Sequence, residues 1–156
     1  MPIFAMLWPV IAMAALTFAI WFVLVVQRLG HMKANPPTRD SFASAQNSAD
    51  YFRPVERPAA NLANLFEMPV LFFVVAILLI VTELANDLQV LLAWAYVAAR
   101  VVHSGFHLKG RVKGRFLSYL VSMAILMAMW IGFTVDTVRQ AVAYNAAVAT
   151  LEGRQE

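Results

Sequence analysis

The chain has 156 residues, of which 62% are hydrophobic and only 13% are charged, with a mean hydropathy of +0.69. Soluble domains carry about 25% charged residues, so this composition excludes a water-soluble globule and fits one compact membrane bundle, with no room for a second domain. The formal charge of +3 would suit a nucleic-acid partner, but its placement along the chain argues otherwise, and the absence of cysteine excludes disulfides, thiolate metal sites and a protein thiol nucleophile.

Ile3 to Val26 is apolar throughout, interrupted only by Pro9 and Thr17. About 20 such residues cross a bilayer core, so residues 3–27 are expected to form helix one. No basic residue precedes the run and Gln27-Arg28 follow it, which argues against a cleavable leader. Residues 28–57 then turn polar, with Arg28, Lys33, Arg39, Arg53 and Arg57 among Pro36-Pro37 and scattered serines. A connection of that length is unusual in a small bundle and is often functional. Thr38-Arg39-Asp40-Ser41 has the composition of a short helix start.

Helix two is expected over 58–82, opened by Pro58. Positions 60, 64, 67 and 71 share one face of it. Asn64 and Glu67 therefore enter an apolar segment together, at a depth where a carboxylate costs up to about 2.5–3.5 kcal/mol. Glu67 should face a partner or a wet cavity. Pro69 cannot donate to the carbonyl of Leu65, so a kink is expected there.

Glu83 to Asp87 is an acidic turn without Lys or Arg. Helix three, 88–106, carries Tyr96, Arg100, His103 and His107 on one stripe, which should face protein or a cavity. A second basic loop, 107–114, holds Lys109, Arg111 and Lys113 between Gly110 and Gly114. Helix four, 115–138, presents Arg115, Ser118, Tyr119 and Ser122 on one face. The Ala-rich tail from Arg139 to Glu156 reads as a short helical extension.

Basic residues concentrate in loops 28–57 and 107–114 and at Arg115, whereas the other side has only Arg139 and Arg154. The positive-inside rule puts both loops in the cytoplasm and both termini outside. Charge so placed reads as topology and lipid-headgroup contact rather than a nucleic-acid footprint. No Gly-rich phosphate motif or stacking aromatic module supports a nucleic-acid partner.

The intramembrane polar groups converge at the cytoplasmic ends of helices two to four: Asn64 and Glu67, Arg100 and His103, Arg115 and Tyr119. A pocket with both charges suits a small zwitterion, or an anion bearing an amine. The plainer reading is an internal pair, Glu67 with Arg100, that holds the bundle together. His103 and His107 lie one turn apart, but a catalytic zinc wants three protein ligands, and the remaining histidine, His31, sits in the first loop. Neither metal nor haem is expected.

N-L-A-N-L-F-E-M-P-V-L-F-F followed by W-A-Y-V-A-A-R-V-V-H-S-G-F-H resembles the MAPEG family, membrane-associated proteins in eicosanoid and glutathione metabolism. The resemblance covers nearly the whole chain and is to a bacterial-type member. It implies an all-α, integral membrane four-helix bundle, assembled as a homotrimer in a bacterial inner membrane, with glutathione held between neighbouring subunits. Asn64 and Glu67 would hold the glutathione peptide and its amino group, with His103 and Arg100 of the second motif beside them. Arg115 or Tyr119 would stabilise the thiolate, and Arg28 matches a basic family position more loosely.

Three positions depart from the family pattern. Ala60 stands where active members usually carry an arginine, Phe116 replaces a hydroxyl residue, and His107 replaces a tyrosine, with Arg57 a partial substitute for the first. The resemblance implies glutathione transfer to, or reduction of, a lipophilic electrophile or lipid hydroperoxide arriving from the bilayer. The rival is a non-catalytic lipid-binding protein or accessory subunit of a larger membrane complex. A solute pathway through Glu67, Arg100 and His103 is disfavoured, because there is no inverted repeat or pair of broken helices.

Overall fold

The computed structural model describes residues 2–152, all of whose regular structure is helical. Arg154 and the end of the tail lie outside the described residues. Helix α1 spans Pro2–Ala34, well past the expected end at residue 27. The polar residues after Arg28 do not stop it, because neither glycine nor histidine breaks a helix already nucleated. It meets the bundle along a narrow seam of Met6, Pro9, Met13 and Ile20, all buried, while Phe4, Trp8, Phe18 and Phe22 stay exposed.

The first loop is folded rather than extended. A 3-10 turn over Arg39–Phe42 starts where Ser41 Oγ accepts the Thr38 N–H at 3.1 Å. Helix α2, Ala45–Phe52, is capped by Ser44, whose Oγ accepts from the Asn47 N–H at 3.0 Å. His31, Phe42, Tyr51 and Phe52 pack edge-to-face or tilted against one another, and the Tyr51 hydroxyl donates to the Asn35 carbonyl at the end of α1. A short 3-10 turn, Arg53–Val55, then delivers the chain to α3, Arg57–Glu67.

Helix α4, Pro69–Val81, continues α3 after one interrupted residue. Met68 keeps helical dihedrals (φ −70°, ψ −32°), so the missing Pro69 N–H interrupts the helix at one residue without turning the chain out of it. Together the two form one apolar span, Arg57–Val81. Glu83 turns the chain with φ 59°, and the Asn86 side chain caps α5, Asp87–Leu108, by accepting from the Gln89 N–H. The same Asn86 donates to Asp136 at 3.0 Å, tying this turn to the last helix.

Helix α5 is inside-out by soluble standards. Gln89, Tyr96, Arg100, His103, Ser104 and His107 are buried, while Leu88, Leu91, Val101 and Val102 are exposed. That reversal is what a bilayer demands, since apolar side chains cost nothing against lipid and polar ones must find partners inside. It also explains why α5 is absent from the helices apolar enough to be read as spans, which are Phe4–Ala34, Arg57–Val81 and Val112–Glu152. A Schellman closure ends α5: the Arg111 N–H reaches the Phe106 carbonyl at 3.0 Å and Gly110 takes φ +68°. Helix α6 runs unbroken over Val112–Glu152, so the tail is a continuation of the span and not a separate element. It packs most extensively on α5. Four membrane segments, α1, α3–α4, α5 and α6, make the all-α bundle.

Candidate functional site

Asn64 and Glu67 occupy the last turn of α3, directly before the Pro69 break. The Asn64 amide donates to Glu67 at 3.3 Å. On its other side Asn64 accepts from Arg100, at 2.6 Å on its side-chain oxygen and 3.2 Å on its backbone carbonyl. Arg100 is fully buried. The expected Glu67–Arg100 pair is therefore replaced by a relay in which Asn64 stands between the two. Positions 64 and 67 point about 60° apart around a helix of 3.6 residues per turn. The stripe on α5 meets the Asn64 side, leaving Glu67 exposed toward the cavity.

His103 is held from α6. Its Nδ1 lies 3.0 Å from the Arg115 carbonyl, which can only accept, so that nitrogen carries the proton. Its Nε2 is buried without a partner among the described residues. The Arg115 side chain turns the other way, with Nη1 at 3.4 Å from His107 Nε2. Guanidinium only donates, so His107 accepts there. Tyr119, one turn along α6, stands with its ring 6.0 Å from that of His103.

These groups surround one cavity of about 430 Å³, lined by Asn64, Glu67, His103, His107, Arg115 and Tyr119 together with Ala60, Val112 and Phe116. Five of the residues expected from sequence, Asn64, Glu67, His103, Arg115 and Tyr119, thus come together. Arg100 lies behind the wall and reaches it through Asn64. Arg28 is elsewhere: its guanidinium sits 4.6 Å over the Phe52 ring. Arg57 is also diverted. It packs on Gly110, where an added Cβ would lie 3.0 Å from Cζ, and it donates to the Leu108 carbonyl at 3.5 Å. It therefore brings no charge to Ala60. A second, apolar groove of about 510 Å³ runs between α4 and α6 past Leu71, Met123 and Trp130, and Tyr119 lines both spaces. Among the described residues no group of three His, Asp or Glu side chains is placed to hold a metal ion.

The MAPEG family profile matches residues 6–135, from the first buried turn of α1 to beyond the last core residue of α6. The chain belongs to the MAPEG family. No curated protein and no solved structure matches it significantly. The MAPEG assignment makes it an integral membrane protein, and the motif residues Asn64, Arg100 and His103 interlock α3, α5 and α6, while Glu67 is held by Asn64 at the cavity. The sequence put His107 on the α5 stripe but gave it no role at the site. The signal was there in its spacing of one turn from His103, which sends both rings to the same side of this MAPEG bundle.

Proposed function

We propose that this protein is a glutathione-dependent transferase or peroxidase acting on lipophilic electrophiles or lipid hydroperoxides. The observation that carries the reading is the convergence of Asn64, Glu67, His103, Arg115 and Tyr119 on one cavity open at the basic end of the bundle. The lining holds one carboxylate and one guanidinium, a match for a thiol that bears both an amine and acid groups. Glutathione would supply the nucleophilic sulfur that a chain without cysteine lacks. Glu67 would hold the amino group. Arg115 would favour the thiolate, which is the reactive form of a thiol and is stabilised by adjacent positive charge. The groove shared through Tyr119 would bring a hydrophobic co-substrate sideways from the bilayer to the same place. Two ring nitrogens in the wall, Nε2 of His103 and Nδ1 of His107, are buried without a partner among the described residues.

In this reading the protein is a homotrimer in a bacterial inner membrane, in contact with lipids through its exposed apolar faces. The basic loops face the cytoplasm and both termini lie outside. Calorimetric titration of the detergent-solubilised protein with glutathione tests it. Wild type should bind. Glu67→Gln should weaken binding by about 1.5–3 kcal/mol, the worth of a hydrogen bond to a charged group, with the fold retained because Glu67 is exposed. A wild type that neither releases heat nor turns over a peroxide or electrophile would refute the enzyme reading. One observation favours the rival of a non-catalytic accessory or lipid-binding subunit: Ala60 leaves the wall short of a cation and Arg57 is committed elsewhere.

A further inference from the structure

We propose that His107 is a positioning residue that keeps the Arg115 guanidinium turned into the cavity. The inference rests on the glutathione reading of that cavity and adds a residue to it. Arg115 comes from the second turn of α6, beside a glycine-hinged loop, and is half-buried. A long cationic side chain there has about 2 kcal/mol of rotamer entropy to lose and water-exposed headgroups nearby to reach for. The side-chain hydrogen bond that holds its guanidinium is the one to His107 Nε2. The backbone of the same residue is fixed separately, through its carbonyl on His103 Nδ1.

The two histidines therefore divide one task. His103 sets where α6 begins relative to α5, and His107 sets which way the cation points. The second task needs an acceptor, and His107 is one only while its ring is neutral with the proton on Nδ1. One further cation, Arg100, stands two turns back on the same helix with the His103 ring between them, while Glu67 faces the ring across the cavity from α3. A lone hydroxyl at this position would present both a donor and an acceptor. Imidazole held in this tautomer presents Nε2 as an acceptor only, which suits a guanidinium and leaves the remaining N–H groups of Arg115 free for an anionic sulfur.

Two measurements test this, and the first needs no ligand. In protein carrying ¹⁵N-labelled histidine, the His107 Nε2 resonance should be that of an unprotonated, hydrogen-bonded nitrogen, and Arg115→Ala should shift it toward the free position. An unchanged resonance overturns the proposal, whatever the protein does with thiols. The second compares His107→Leu with His107→Gln, whose amide oxygen can still accept from Arg115. With glutathione bound, the ultraviolet thiolate band should appear at a pH about one unit higher in His107→Leu, a tenfold loss of thiolate at fixed pH. His107→Gln should stay near wild type, and the affinity for S-methyl glutathione, which has no thiol to ionise, should change little in either. Equal behaviour of the Leu and Gln variants overturns the proposal. In a wild type that binds no thiol at all, the glutathione reading fails and the resonance alone decides the His107–Arg115 contact.

Discussion

The sharpest consequence of the relay at Asn64 is that removing the neutral residue should harm the fold more than removing both partners. Arg100 is fully buried, and its hydrogen bonds both run from Nη2 to Asn64. Asn64→Leu deletes the 2.6 Å bond and leaves the guanidinium with one backbone carbonyl. Neutral interhelical hydrogen bonds in membranes average about 0.6 kcal/mol. A charged donor raises the figure to about 1.5–3 kcal/mol, and the stranded cation adds its own desolvation cost. Adding Arg100→Met removes that cation while keeping most of the volume, so the double variant should be more stable than Asn64→Leu alone. The coupling should lie in the range of about 0.5–3 kcal/mol typical of residues in contact. Unfolding of the purified protein in mixed micelles, followed by circular dichroism, gives all four corners of the cycle. Additive losses, with the double variant the least stable of the set, would refute the reasoning.

Other outcomes follow from single features. Ala60→Arg places a cation on an exposed position of the cavity wall, and calorimetry should show glutathione binding about tenfold tighter, or 1.4 kcal/mol; unchanged affinity would detach that position from the site. Gly114→Ala would put a Cβ 2.8 Å from the Phe106 ring, which should cost about 1–3 kcal/mol in thermal unfolding as an overpacked contact and be relieved by Phe106→Leu. Reporter fusions within residues 33–50 should read as cytoplasmic and those after Glu83 to Asp87 as external; the reverse pattern would overturn the orientation.

The sequence made the membrane segments legible because apolar length is a direct measure of what a bilayer requires. The buried stripe on α5 was legible for a related reason: polar residues at helical spacing in an apolar segment have one side to go to. Partner choice was not legible. Spacing puts Asn64 and Glu67 near Arg100, but a rotation of α3 decides which of the two meets it, and that rotation is set by packing around Leu65 and Phe72 and by the Pro69 break. Arg28 and Arg57 were lost to the site for the same kind of reason. Phe52 and Gly110 offer them flat surfaces that arise only when the first loop folds back on the bundle. That loop read as a polar connection because its aromatic residues, Phe42, Tyr51 and Phe52, follow no period that would mark a core.

The length of α6 has a mechanical consequence. Its 41 residues measure roughly 60 Å at 1.5 Å per residue, and the hydrocarbon core is about 30 Å thick. With Val112 at one boundary, the far end stands roughly 20 Å clear of the opposite headgroups. The helix is thus a stalk as well as a span. Anything joined to its end, whether an affinity handle, a fluorophore or a natural neighbour, is held by a rigid arm outside the micelle or membrane rather than at its surface. Distances measured from a label on its last turn to one on the bundle would report the tilt of the helix itself.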